Sequence, residues 1–248
     1  MSKTENKSSI IKITFSADEF LLKGTLHLPS ADKPPVVIGS HGLFSSSDSP
    51  KQIELARQCS ANNIAFFRFD HRGCGESKGV FGDVTSLDAR CNDLTSAIKT
   101  ILDRNDTGDR IGLFGSSMGG AVCLSVLNRS DIKKSIDSIV VFAAPIKSSS
   151  ISNVLEKPGD SNMPEQPFDK KSLEFDVSDM LSGIQNILIF HGDSDTVVPP
   201  SHGREIYLKA GKPKKLIIQR HGDHLMSDAA HQKKFIEEAV AWFKIGLV

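Results

Sequence analysis

The sequence predicts an α/β fold, in which helices cover both faces of a mostly parallel β-sheet. From about Val36 onward, apolar runs of strand length alternate with segments whose apolar residues recur at helical spacing. The chain has 248 residues, which is enough to bury a large core without disulfides or metals. Neither an internal repeat nor a linker divides it, so we expect a single domain over residues 1–248.

Apolar runs bounded by turn residues predict the strands of this sheet. The first two are joined by a tight turn at Ala17-Asp18-Glu19, so we expect that pair to be antiparallel. The predicted strands are Ile10–Phe15, Phe20–Leu28, Val36–Ser40, Ile64–Phe69, Ile111–Phe114, Ser138–Ala143, Asn186–Phe190 and Lys215–Gln219. The intervening helices imply that the later strands run parallel.

Helical periodicity marks the segments between these strands. The clearest runs from Leu87 to Ile101, and Thr85 with Asp88 predicts a capping box at its start. The other predicted helices are Ile53–Cys59, Met118–Leu127, His202–Lys209 and a final amphipathic helix from about Asp228 to Lys244.

Periodicity fails between Pro145 and about Asp179, where Ser, Pro, Asp and Lys dominate. This segment follows a strand, on the side of such a sheet where active-site loops gather. We interpret residues 146–179 as a small lid insertion. It contains few aromatic residues, chiefly Phe168 and Phe175.

Composition narrows the classes of partner. Lys+Arg and Asp+Glu both total 30, which gives a net charge of +0 and argues against nucleic acid or an anionic membrane as a partner. The polar N-terminus and the lack of a membrane-length apolar stretch predict a cytoplasmic protein. The four scattered cysteines suit a reducing compartment. We therefore expect a small-molecule substrate, and the sequence leaves the oligomeric state open, a homodimer included.

The run Gly115-Ser116-Ser117-Met118-Gly119-Gly120 is the strongest functional signal. It lies between a predicted strand and a predicted helix, the context in which GxSxG forms a sharp turn that exposes the serine hydroxyl. Small residues are needed where strand and helix nearly collide, and the helix N-terminus offers N–H groups to developing negative charge. We therefore predict Ser117 as a nucleophile.

A serine nucleophile needs a base, and the base needs an orienting acid. Of the eight histidines, His224 is the best candidate, because it follows the last strand and precedes the final helix; His221 remains a rival. The acid is expected between serine and histidine in chain order. Asp195 is our choice, with Asp193 as the fallback.

Two backbone amides are the predicted oxyanion donors. One is the N–H of Met118, directly after the nucleophile, and the other is that of Leu43, in the loop after strand Val36–Ser40. We interpret the run from Phe69 to Ser77 as structural, with its Asp–Arg pair and glycines forming a tight turn that braces this loop.

A metal site is a weaker hypothesis. His191, Asp193 and Asp195, with His221 and His224, are suitable ligand types, but they lack a HExxH or cysteine spacing. A metal would also leave the GxSxG turn unexplained. We therefore expect neither a metal nor another cofactor.

The motifs HGL, FDHRGCGES, GSSMGG, HGDSDTVVP and GDHLMSD follow in the order typical of α/β hydrolases. The chain from about Val36 onward resembles the bacterial cinnamoyl/feruloyl esterase-like group, neighbours of the monoacylglycerol lipases and serine aminopeptidase-like hydrolases. The resemblance implies an α/β-hydrolase fold with an eight-stranded sheet. It also implies a Ser117, Asp195 and His224 triad and an oxyanion hole from Leu43 and Met118.

Two departures from the family pattern stand out. Ser116 occupies a position where histidine is common, and the predicted lid is shorter and more polar than one that holds aromatic acyl groups. We therefore expect a carboxylic-ester hydrolase for small to medium acyl groups. The alternatives are a peptidase or amidase, a thioesterase, and a binding protein on a hydrolase scaffold. A cysteine or aspartate nucleophile is set aside because serine occupies the turn.

Overall fold

The computed structural model describes residues 8–129, 132, 134–150 and 170–247. Its centre is an eight-stranded sheet in the order β1-β2-β4-β3-β5-β6-β7-β8. The strands are β1 Ser9–Ala17, β2 Phe20–Leu28, β3 Val36–Ser40, β4 Ala65–Phe69, β5 Ile111–Ser116, β6 Ile136–Phe142, β7 Ile187–Gly192 and β8 Lys214–Gln219. The predicted α/β-hydrolase fold is confirmed.

Among the eight strands of this sheet, β2 alone runs opposite to the others. β1 pairs antiparallel with β2, and β2 pairs antiparallel with β4. Every later pairing, from β4 through β3 to β8, is parallel. The hairpin turn is shorter than predicted, because Ala17 still pairs with Phe20 and only Asp18 and Glu19 lie outside the strands.

Helices pack against both faces of the sheet. They are α1 Pro50–Ala61, α2 Phe81–Val84, α3 Leu87–Leu102, α4 Met118–Val126, α5 Ser201–Lys209 and α6 Ala229–Leu247. Buried residues of α1 and α6 join one apolar core, and those of α3, α4 and α5 join the core on the other face. Among the described helices, none combines the length and apolarity that crossing a membrane requires.

The predicted capping box at α3 is wrong by one residue. Ser86, in an extended conformation, is the N-cap, and its side chain accepts the Ala89 N–H at 3.0 Å. Asp88 is therefore the second helical residue, one position too early to complete a box. Thr85 instead accepts a hydrogen bond from Arg90 Nε at 3.4 Å.

The described ends of the predicted lid contain short 3-10 helices. These are Ser148–Ser150, Lys170–Leu173 and Ser178–Gly183, and a bridge between Lys147 and Asp176 draws the two ends together. Residues 151–169, including Phe168, lie outside the described residues.

The parallel strands bring separate loops to one edge of the sheet. Ser40 at the end of β3 is level with Gly115 in β5, and Gly192 at the end of β7 is level with Gln219 in β8. Each loop predicted to carry a functional residue starts at the carboxyl end of β3, β5, β7 or β8. The fold therefore gathers them on one side, as expected for an open α/β sheet.

Candidate active site

Ser117 occupies the turn between β5 and α4, with φ 52 and ψ −124. A non-glycine residue with this backbone conformation is strained, as the sequence predicted for a nucleophile elbow. The Ser117 N–H donates to the carbonyl of Phe142 at 2.8 Å, which holds the turn in place. A Cβ at Gly119 would lie 2.0 Å from the Ser40 carbonyl oxygen, so only glycine fits there.

The structure brings the predicted Ser117, His224 and Asp195 together. His224 Nε2 lies 3.1 Å from Ser117 Oγ, and His224 Nδ1 lies 2.8 Å from Asp195 Oδ2. The side chain of His224 is 15% exposed and that of Asp195 is 0% exposed. An ionised carboxylate only accepts hydrogen bonds, so the proton of a neutral His224 belongs on Nδ1. Nε2 then presents its lone pair to the serine hydroxyl.

Asp195 is held as an anion by its surroundings. Burial raises its pKa, but hydrogen bonds from His191 and His224, together with the charge of His224 and the amide of Val198, more than offset this and lower the pKa overall. Its Oδ1 accepts the N–H groups of Val197 at 2.9 Å and Val198 at 2.8 Å. The carboxylate is thus fixed in position and available to stabilise an imidazolium.

His191 lies next to the triad, where the sequence had not predicted a role for it. This residue is fully buried, and its Nε2 lies 2.9 Å from the Val198 carbonyl and 3.4 Å from Asp195 Oδ2. Both neighbours are acceptors, so Nε2 carries a proton and stabilises the Asp195 carboxylate. The position of His191 at the end of an apolar strand, four residues before Asp195, was the available signal.

The two fallback residues pair with each other. Asp193 Oδ1 accepts the backbone N–H of His221 at 2.6 Å, and both residues are exposed. His221 has a φ of 59, so it helps to turn the chain after β8. Among the described residues, no group of three or more His, Cys, Asp or Glu side chains is placed to hold a metal ion.

The segment His41–Phe44, which we call the oxyanion loop, lies against the elbow. A Cβ at Gly42 would be 3.6 Å from both Ser117 Cβ and the Ser116 carbonyl oxygen. Leu43 follows directly. Met118 is the first residue of α4, so its N–H has no partner within the helix. Both predicted donors therefore belong to segments that adjoin Ser117.

The run after β4 braces this loop, because the His71 N–H donates to His41 Nε2 at 3.1 Å, but the expected pairing within the run is wrong. Asp70 accepts the backbone N–H groups of Ser47 at 2.7 Å and Glu76 at 3.0 Å and does not pair with Arg72. Arg72 instead binds Asp93 and Asp18. The reason is that α3 places the Asp93 carboxylate, which is 0% exposed, directly under the guanidinium.

A second Ser–His–Asp arrangement lies beneath the site. Ser40 Oγ is 2.9 Å from His71 Nε2, and His71 Nδ1 is 3.3 Å from Asp93 Oδ2. All three residues are buried. Burial lowers the pKa of His71 to about 4, although Asp93 opposes the shift. This arrangement is closed to substrate, and it links β3, the loop after β4 and α3.

An apolar cluster adjoins the nucleophile. Its buried members are Met118, Ala121 and Leu173, and Leu43, Leu87 and Phe175 pack against them. The cluster therefore joins the oxyanion loop and α4 to the described end of the predicted lid. An apolar surface at this position can contact the acyl part of a substrate.

Comparisons with known proteins identify a family model and several relatives that match this chain. A family model described as "Serine aminopeptidase, S33" matches residues 31–161. An uncharacterized protein of Escherichia coli K12, YfhR, is 29% identical over 198 residues, or 79% of this chain. The chain spans less than two thirds of that relative's length, namely 65%. The YfhR protein of Salmonella typhi is 29% identical over 245 residues, covering 93% of this chain and 80% of its own length.

Solved structures share the fold at low sequence identity. Est1E from Butyrivibrio proteoclasticus, crystallised with ferulic acid, has a TM-score of 0.74 at 19% identity and covers 95% of this chain and 98% of its own. The Pyrococcus furiosus esterase Pf2001 has a TM-score of 0.78 at 19% identity, with 97% of this chain and 94% of its own covered.

Proposed function

Because the chain belongs to the serine aminopeptidase S33 family of α/β hydrolases, we propose that it cleaves carboxylic esters through an acyl-enzyme on Ser117. The observation that carries this proposal is the continuous chain of hydrogen bonds from Ser117 Oγ through His224 to Asp195, at 3.1 and 2.8 Å. These distances are within the reach that a nucleophile and its base require. The reaction needs no cofactor.

In the proposed mechanism, His224 Nε2 takes the Ser117 proton as Oγ attacks the ester carbonyl. Asp195 stabilises the resulting imidazolium without itself becoming protonated. The N–H groups of Leu43 and Met118 bind the oxyanion. His224 next donates its proton to the departing alcohol, leaving an acyl-enzyme. A water molecule, deprotonated by His224, then attacks the acyl carbonyl. The bond between the acyl carbon and Ser117 Oγ breaks, His224 returns the proton to Oγ, and the carboxylic acid leaves.

The apolar cluster around Met118 supports an ester with a small to medium acyl group. Leu173 and Phe175, from the end of the predicted lid, pack on the same cluster as Met118 and Leu87. These side chains are apolar, so the cluster suits an acyl chain, and the shortness of the predicted lid favours a small to medium one.

The test is a set of initial hydrolysis rates on acetyl, butyryl, octanoyl and feruloyl p-nitrophenyl or methyl esters. We expect the best rates with acetyl or butyryl esters and a loss of about 10⁴-fold or more in kcat for Ser117→Ala. Ser116→Ala is the matched control, because it removes the neighbouring hydroxyl, and it should keep kcat within about threefold of wild type.

Three outcomes would redirect the assignment. Faster cleavage of aminoacyl p-nitroanilides than of any ester would identify a peptidase. Preference for acyl-coenzyme A thioesters would identify a thioesterase. No turnover of any of these substrates would favour a binding protein on a hydrolase scaffold. A Ser117→Ala variant that keeps full esterase activity would overturn the mechanism.

A further inference from the structure

Arg90 is an unusual residue for its position. It lies in the first turn of α3 and its side chain is fully buried, with 0% exposure. The N-terminus of a helix repels a cation, and burial of a guanidinium is costly unless its N–H groups are all satisfied. Among the described residues, no carboxylate forms an ion pair with it. Its neighbours must therefore compensate in another way.

The compensation comes chiefly from the oxyanion loop. Arg90 Nη2 donates to the Leu43 carbonyl at 3.0 Å, and Nη1 lies 3.4 Å from the Gly42 carbonyl and 3.5 Å from that of His41. Cys74 Sγ, at 3.4 Å from Nη2, and Thr85 supply the remaining contacts. One rigid, planar group thus faces three consecutive carbonyl oxygens on the same side. The Gly42 carbonyl also accepts from His41 Nδ1 at 2.8 Å, so His41 shares in holding it.

The direction of these carbonyls determines the direction of the amides. In a trans peptide the C=O and the N–H point to opposite sides. The Gly42 carbonyl and the Leu43 N–H belong to one peptide unit, so the Leu43 N–H points away from Arg90. Gly42 itself lies against Ser117, since a Cβ at Gly42 would be 3.6 Å from Ser117 Cβ.

We propose that Arg90 is a positioning residue that fixes the peptide between Gly42 and Leu43 with its N–H directed into the oxyanion hole. It acts through the backbone and does not touch the substrate. This inference rests on the proposed function, because it assigns Arg90 to the same reaction at Ser117. It also explains why a buried cation is placed at the start of α3.

The test compares Arg90→Gln and Arg90→Lys with wild type. Lysine keeps the charge but carries its three donors on one nitrogen, which cannot span the three carbonyl oxygens, so it should retain only part of the function. We expect Arg90→Gln to lower kcat on the butyryl ester by at least about tenfold, since loss of one oxyanion donor costs about 10²–10³-fold. KM should change by less than about threefold, because the effect is confined to the transition state.

A boronic acid separates this role from general destabilisation. Butylboronic acid forms a tetrahedral adduct with a nucleophilic serine, so its inhibition constant should rise by the same factor by which kcat/KM falls. Arg68→Gln is the matched control. Arg68 is also buried and binds the Ser47 carbonyl at 3.1 Å, beyond the oxyanion loop. It should lower the melting temperature yet leave kcat and boronate affinity within about threefold.

Three results would overturn the proposal: a folded Arg90→Gln variant with kcat near wild type, unchanged boronate affinity despite a lower kcat, or an equal kinetic loss in Arg68→Gln. The rate of Ser117 labelling by a fluorophosphonate, followed by mass spectrometry, gives a second readout that needs no substrate. If wild type labels but hydrolyses no ester, the proposed function fails. The labelling rate of Arg90→Gln still decides the role of Arg90 in that case. A rate at least about tenfold below wild type supports the proposal, and an unchanged rate overturns it.

Discussion

Replacing Asp195 by asparagine changes one atom of the proposed triad and should reverse the proton arrangement of His224. Asp195 Oδ1 accepts two backbone N–H groups, from Val197 at 2.9 Å and Val198 at 2.8 Å. An asparagine must place its amide oxygen there, because its NH₂ group would oppose two donors. The NH₂ group is then left facing His224 Nδ1.

The size of the effect follows from this orientation. A donor facing Nδ1 forces Nδ1 to accept, so the imidazole proton moves to Nε2, which faces Ser117 Oγ at 3.1 Å. A protonated Nε2 cannot take the serine proton. The corresponding change in serine proteases costs about 10⁴-fold in kcat, and we expect a loss of about that size here.

The assay is kcat on the butyryl ester at pH 7.5, with circular dichroism and a thermal melt to establish folding. Asp193→Asn is the control, because Asp193 is exposed and accepts hydrogen bonds from the backbone N–H of His221 and the hydroxyl of Ser194. It should keep kcat within about threefold. The reasoning is refuted if Asp193→Asn loses as much activity as Asp195→Asn, or if a folded Asp195→Asn variant loses less than about tenfold.

Three further predictions concern the supporting structure. Gly119→Ala places a Cβ 2.0 Å from the Ser40 carbonyl oxygen. Thermal melts should show that the free energy of unfolding falls by roughly 2 kcal/mol or more, and kcat should fall by at least about tenfold. Gly211→Ala, whose Cβ would have its nearest neighbour at 3.4 Å, should behave as wild type, and equal effects of the two substitutions would contradict this. His71 has its pKa lowered to about 4, so the unfolded chain binds a proton between pH 6.5 and 4 that the folded chain does not. Its contribution to the free energy of unfolding is complete above pH 6.5 and falls by about 3 kcal/mol toward pH 4, as measured by urea unfolding. His71→Gln should remove this part of the pH dependence, and an unchanged pH dependence in the variant would refute the prediction. All four cysteines are buried, and burial raises the pKa of Cys91 to about 12. A thiol reagent should therefore label none of them within minutes in the folded protein and should leave the activity intact. Rapid loss of activity would indicate a reactive thiol and contradict this prediction.

Much of the fold was predictable because its signals are local. Every predicted strand is present with its ends shifted by at most two residues, since buried parallel strands are continuous apolar runs bounded by turn residues. The four-residue helix Phe81–Val84 was missed, because a single turn has no periodicity to detect. The α3 cap was misplaced because Thr85 and Ser86 are both good capping residues. Both residues are extended, and what distinguishes them is that the Ser86 side chain accepts the Ala89 N–H, whereas that of Thr85 accepts from Arg90.

The candidate site was predictable to the extent that its residues follow strand ends. Ser117, Asp195 and His224 each follow a strand of the parallel sheet, so chain order and strand position were enough to propose them. Asp193 and His221 follow the same strands, and only the contacts in the structure separate them from Asp195 and His224. Arg90 and Asp93 were not selected, because they lie within a helix whose apolar periodicity suggested only packing. A charged residue inside such a pattern becomes informative once its burial is known.

Burial also decides between the two Ser–His–Asp arrangements of this molecule. Ser40, His71 and Asp93 have distances of 2.9 and 3.3 Å, close to those of Ser117, His224 and Asp195. His71 is 0% exposed, whereas the side chain of His224 is 15% exposed. Only the latter can exchange protons with a bound substrate and with water, as both halves of an acyl-enzyme reaction require. Hydrogen-bond geometry alone would assign both, so access is the criterion that separates the proposed catalytic arrangement from the one that joins β3 to α3.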